Sequence, residues 1–178
     1  MSEKAAEDVG ISPAAEDLEK KARAAEAAKE YEKAIRLFEQ YVASFQESAR
    51  YDEVKAHLDL LKKDEQVQRA IRTKQAAPDC HDWLMMADNF VRAGRPEKAT
   101  EYLAKILANH ADTDWGDLAR ERVRAICHHW LMMADDFSRA GMLGKATEYL
   151  ERILANYPDT DWADMARERL SRLQNLPK

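Results

Sequence analysis

Cysteine and histidine occur side by side twice in this chain, as Cys80-His81 and as Cys127-His128-His129, and thiolate with imidazole is the chemistry of a zinc site. The spacing argues against that use. Adjacent residues on a helix point about 100° apart. No Cys-x-x-Cys is present and no two histidines stand four residues apart, so one metal ion is not reached from either cluster. A Cys80 to Cys127 disulfide needs Cα atoms within about 7 Å, closer than neighbouring helical units pack. Both thiols are therefore expected to be reduced and structural.

Carboxylate and guanidinium also recur at a fixed interval, Asp88 with Arg92 and Asp135 with Arg139. Four residues is the spacing of an ion pair on a solvated helix face, not of a proton-transfer site, which needs groups converging in a pocket. Arg120-Glu121-Arg122 and Arg167-Glu168-Arg169 mix signs, which weakens any phosphate-binding reading. No Ser-His-Asp or Cys-His-Asn set can be assembled, and the five glycines are scattered, so no phosphate-cradling loop exists. These residues assign no catalytic group, no cofactor and no metal.

The elements that hold them are helical. The 178 residues include 30 Ala but only 17 Val, Ile and Thr together, a balance that favours helix over sheet. Net charge is −5, shared evenly along the chain, with no basic tail or domain to suggest nucleic acid. The longest apolar runs are five residues, Trp83 to Ala87 and Trp130 to Ala134, against the ~20 that span a bilayer. The N-terminus has no secretory pattern, which makes the cytoplasm the expected location.

Residues 80–126 match residues 127–173 at 31 of 47 positions without a gap, and a period of this length marks stacked helical units. A fainter third copy places Leu18 on Trp83, Ala22 on Ala87, Ala34 on Ala99, Phe38 on Leu103 and Leu58 on Val123. The chain divides accordingly: a disordered tail at 1–12, a divergent first repeat with a connecting helix at 13–79, repeats at 80–126 and 127–173, and a tail at 174–178. Within a repeat, Asp79 is placed to cap a first helix that Gly94 ends, and Pro96 to start a second that runs to about His110. From Asp114 the apolar period continues without Gly or Pro past Cys127, which predicts one helix of about 26 residues. The paired tryptophans Trp83, Trp115, Trp130 and Trp162 are expected in the core, with at least one methionine of Met85-Met86 and of Met132-Met133.

With Trp130, Ala134, Phe137, Gly141, Ala146 and Pro158, the third copy resembles the tetratricopeptide repeat family, a 34-residue pair of antiparallel helices. The second copy matches with Trp83, Ala87, Phe90, Gly94 and Ala99, but Ala111 stands for the closing proline. The first matches with Leu18, Ala22, Tyr31, Ala34 and Phe38, while Lys29 replaces the turn glycine. Each copy carries 13 further residues, as in longer-helix variants of the family. The resemblance implies an all-α fold, an α-solenoid of antiparallel helix hairpins. It also implies a peptide site on the inner, concave face of the first helix of each hairpin. By position that face holds His81, Leu84, Asp88, Val91 and Arg92 in one copy, and His128, Leu131, Asp135, Ser138 and Arg139 in the next.

These features describe a non-enzymatic adaptor that holds a protein or peptide partner. The rival readings are a self-associating structural module, supported by the repeat-type Trp162, Met165 and Leu170 in the last helix, and a regulatory subunit of a separate enzyme.

Overall fold

The structure, a computed structural model, describes residues 11–175, so the bulk of the proposed 1–12 tail and the last three residues lie outside the described residues. Among the described residues there are eight α-helices and no strand. None of these helices is long and apolar enough to cross a membrane. The chain forms two compact units, 1–75 and 76–178, with the boundary inside a helix.

The first unit is built from α1 (Pro13–Ala27), α2 (Tyr31–Ser44), α3 (Tyr51–Lys63) and the start of α4 (Glu65–Arg92). Ser12 caps α1, its Oγ accepting from the Ala15 N–H at 3.2 Å, and Pro13 supplies the first helical φ. The stripe Ala15, Ala22 and Ala25 packs in one core with Ala34, Phe38 and Tyr41 of α2 and Val54, Leu58 and Leu61 of α3. Glu19 lies in that stripe at 3% exposure, where Arg23 at 2.8 Å and Arg50 at 2.9 Å neutralise it. The turn after α1 places Lys29 in the left-handed region at φ 58, the conformation that glycine would adopt without strain.

The second unit holds the two close repeats. It comprises the remainder of α4, then α5 (Pro96–His110), α6 (Asp114–Arg139), α7 (Leu143–Asn156) and α8 (Asp161–Gln174). Gly94 and Gly141 end α4 and α6 with φ of 70 and 73, and the Arg95 and Met142 N–H groups reach back to the carbonyls of Phe90 and Phe137. That is the Schellman stop. Thr113 and Thr160 cap α6 and α8 through their hydroxyls. Inside each hairpin an equivalent ring pair stacks, Phe90 on Tyr102 at 5.7 Å and Phe137 on Tyr149 at 5.6 Å.

The core of this unit runs through Cys80, Ala87, Ala99, Leu103, Ile106, Ala119, Val123, Cys127, Trp130, Ala134, Leu150 and Ile153. The 26-residue α6 matches the predicted continuous helix, and its second half opens the next repeat. One boundary is corrected. Asp79 does not cap a helix, because α4 passes through Pro78 without ending. Buried Ala76 and Cys80, four residues apart, keep one apolar stripe in register across the proline, which itself lies on the exposed side.

Candidate partner-binding site

The chemistry begins with two ion pairs that join helices rather than turns of one helix. Asp88 on α4 accepts from Nε of Arg122 on α6 at 2.9 Å, and Asp135 on α6 accepts from Arg169 on α8 at 3.0 Å and 3.4 Å. In both cases the partners are 34 residues apart, so each ion pair ties the second half of one long helix to the next helix but one. The expected local pairs, Asp88 with Arg92 and Asp135 with Arg139, give way to these bonds. Arg139 instead pairs with Asp136 at 2.7 Å. The reason is burial: Arg122 and Arg169 lie on the helix sides that face the neighbouring helix and are 36% and 25% exposed, whereas Arg139 at 78% stands in solvent. In the first unit the position equivalent to Arg122 is His57, which pairs with Glu26 at 2.8 Å, so a clasp at this place persists with other chemistry.

Beside each clasp of the second unit lies a groove. One, of about 330 Å³, has Asp88, Val91, Gly94 and Pro96 on one wall, Arg122, Ala125, Ile126, His129 and Trp130 along α6, and Tyr149 and Arg152 from α7. Its repeat-equivalent, of about 380 Å³, is lined by Ala134, Asp135, Ser138 and Arg139, by Leu150, and by Arg169, Arg172 and Leu173. At 100° per residue, Ile126 and Trp130 point to one side of α6 and Asp135 and Ser138 roughly to the other, so the two grooves open on opposite sides of that helix.

The ten residues singled out by resemblance therefore divide. Asp88 and Val91 line the first groove; Asp135, Ser138 and Arg139 line the second. His81, Arg92 and His128 are exposed on the helix surface and line neither groove. Leu84 is half-buried against the core, and Leu131 is core at 3% exposure. Leu131 cannot serve as a surface anchor, a correction that follows from its register: it sits four residues after buried Cys127 and three before buried Ala134. Met85 at 49% and Met132 at 51% do face out, at equivalent positions one residue round the helix from the two leucines. Met86 is also exposed, so neither residue of the Met85-Met86 pair fills the core, whereas Met133 is half-buried.

The thiols are both fully buried and unbridged. Burial pushes the Cys127 thiol up to about 12 and raises that of Cys80, which disfavours the thiolate form of both. Among the described residues no group of three or more His, Cys, Asp and Glu is placed to hold a metal ion. The paired tryptophans are unequal: Trp130 is fully buried, with its indole Nε1 lacking a hydrogen-bond partner, while Trp83, Trp115 and Trp162 are half-buried against the same core. Sequence reading missed Arg122, Arg152 and Arg169 because their partners lie on other helices; the one signal was the repetition of Arg122 as Arg169 opposite the repeated Asp88 and Asp135.

A family model described as tetratricopeptide repeat matches residues 18–48, 83–113 and 130–160. No curated protein and no solved structure matches the chain.

Proposed function

Because the chain belongs to the tetratricopeptide repeat family, whose repeats generally mediate protein–protein contacts, we propose that it is a non-catalytic interaction module and that the grooves beside the Asp88–Arg122 and Asp135–Arg169 clasps receive side chains of a partner protein. The observation that carries this reading is duplication. Both repeats keep a groove in the same place, of similar size, with the same Asp and Arg at its edge. Each clasp orients its guanidinium toward the groove wall, and the apolar lining supplies the desolvated centre that interface energy requires. Met85 and Met132 extend the contact surface with flexible, polarizable side chains that adapt to different partners. His81, Arg92 and His128 stand on the same helices and belong to the rim of that surface.

Panning the purified chain against a random-peptide library tests the proposal. Enriched peptides should bind the chain and lose binding when Val91→Trp and Ser138→Trp obstruct the grooves, with the helical spectrum retained. Enrichment of nothing, or of peptides indifferent to both substitutions, refutes it.

A further inference from the structure

The two grooves are equivalent by repeat but not equally complete. Along the first, Asp88, Val91 and Arg122 of the second repeat are joined by Trp130, Tyr149 and Arg152 of the third. Along the second, every lining residue belongs to the third repeat itself, with Asp135, Ser138 and Arg169 in the places of Asp88, Val91 and Arg122. The burial of equivalent residues shows the same imbalance. Val123 and Ile126 of the second repeat are buried, whereas Leu170 and Leu173 of the third are only half-buried, and half-buried Leu118 corresponds to Met165 at 38% exposure. At the start of each repeat the sense is reversed: Trp130 and Leu131 are buried and Met133 half-buried, whereas Trp83 and Leu84 are half-buried and Met86 is 36% exposed. Each set is covered in one repeat and open in the other, which marks them as the two sides of the junction between repeats. A hydrogen bond crosses that junction, from the Thr100 hydroxyl to Oδ1 of Asn156 at 2.9 Å. The same two residue types recur on the open sides as Thr147 and Asn109. Asn109 is held as Asn156 is, its Nδ2 donating to the backbone carbonyl four residues earlier.

From this complementarity we infer that a second copy of the chain stacks head to tail on the first, with Trp83, Leu84 and Met86 of one copy against Met165, Leu170 and Leu173 of the other. The junction between repeats is thereby repeated between molecules. The stacked copy brings its Trp83, Tyr102 and Lys105, the equivalents of Trp130, Tyr149 and Arg152, to the second groove, which gains the wall that the first already has. Asn109 of that copy accepts from Thr147 and fixes the register. One bond of the internal junction has no counterpart. Glu97 pairs with Arg152 at 2.6 Å within the chain, but Gly144 stands in the place of Glu97. The contact between copies also lacks the covalent link of α6 and costs translational and rotational freedom, so it is weaker than the internal junction and depends on concentration. It requires no peptide in either groove and so goes beyond the interaction reading above.

Sedimentation of the full chain over a concentration series reaching about 1 mM tests this. The average mass should climb past two copies, because a head-to-tail contact leaves one matching face open at each end. Met86→Glu and Met165→Glu, at partly exposed positions on opposite sides of the contact, should each stay monomeric with the helical spectrum retained. Mixed in equal amounts they should form a dimer and stop there, since each supplies the intact face that the other lacks. Met132→Glu, at a position as exposed in the third repeat as Met85 is in the second, should associate as the unaltered chain does. Gln at the same positions serves in place of any Glu variant that loses its helices, with association weakened about tenfold or more. An unaltered chain that stays monomeric throughout, or that stops at two copies, overturns the inference. So do undiminished association of either single variant alone, mixed variants that remain monomers, and loss of association in Met132→Glu.

Discussion

Trp83 and Trp130 are the same residue of two repeats, yet the structure gives them different weights. Trp130 is fully buried and Trp83 only half-buried, so truncation to Ala should separate them. A buried aromatic removes roughly 150–250 Å² from water, which at about 25 cal/mol per Å² is about 4–6 kcal/mol for the whole ring. Retaining the Ala methyl and allowing partial collapse brings Trp130→Ala to about 3–5 kcal/mol, and Trp83→Ala to about half of that. Trp130→Phe should cost far less than Trp130→Ala. It removes an indole N–H that has no acceptor, and relief of an unsatisfied buried donor, about 1–3 kcal/mol, offsets most of the lost ring area. Urea titrations followed by circular dichroism at 222 nm measure all three. Equal losses for the two Trp→Ala variants would refute the burial asymmetry, and a Trp130→Phe loss as large as that of Trp130→Ala would show that the indole N–H is satisfied.

Three other outcomes are expected. Lys29→Gly should stabilise the chain by about 0.5 kcal/mol, because relief of the left-handed φ of 58 outweighs the extra freedom of glycine in the unfolded state; a thermal melt checks the sign. Gly116→Ala should destabilise by about 2 kcal/mol or more, since its Cβ would fall 2.4 Å from the Ala111 carbonyl oxygen and backbone must move, although the equivalent residue of the next repeat is Ala163; chemical denaturation measures it. With the Cys127 thiol raised to about 12 from an ordinary value near 9, the unfolded chain gives up this proton across the range from about pH 9 to about 12 while the folded chain keeps it. Stability therefore falls as pH rises, by up to about 1.4 kcal/mol per unit from this group, and Cys127→Ala should flatten that part of the profile in urea titrations.

What the sequence made legible was whatever has a local cause. Pro96 fixes its own φ and Gly94 takes a left-handed φ without strain, so α5 begins where expected, and an unbroken apolar period between Asp114 and Arg139 was sufficient for the long α6. Pro78 misled because proline punctuates a helix only when the apolar stripe stops with it, and here Ala76 and Cys80 carry the stripe past. The site was legible only in part. Asp88 and Asp135 were visible as a repeated pair, but spacing proposes partners four residues away, whereas packing brings Arg122 and Arg169 from 34 away. The error at Leu131 and the exposure of Met85 and Met132 have a common cause: a single step along a helix turns a side chain by about 100°, and repeat alignment fixes equivalence between copies without fixing which side faces the core.

The helix α6 ends one repeat and begins the next with no turn between them. In arrays whose units meet at loops, each unit can open alone, and the array frays like a chain of separate links. Here the two close repeats share a rod of 26 residues, about 39 Å long at 1.5 Å per residue, and neither can melt its half without exposing the base of the other. A pull applied across this region meets one mechanical element where the sequence counts two. The two grooves lie along this one rod, on opposite sides of it.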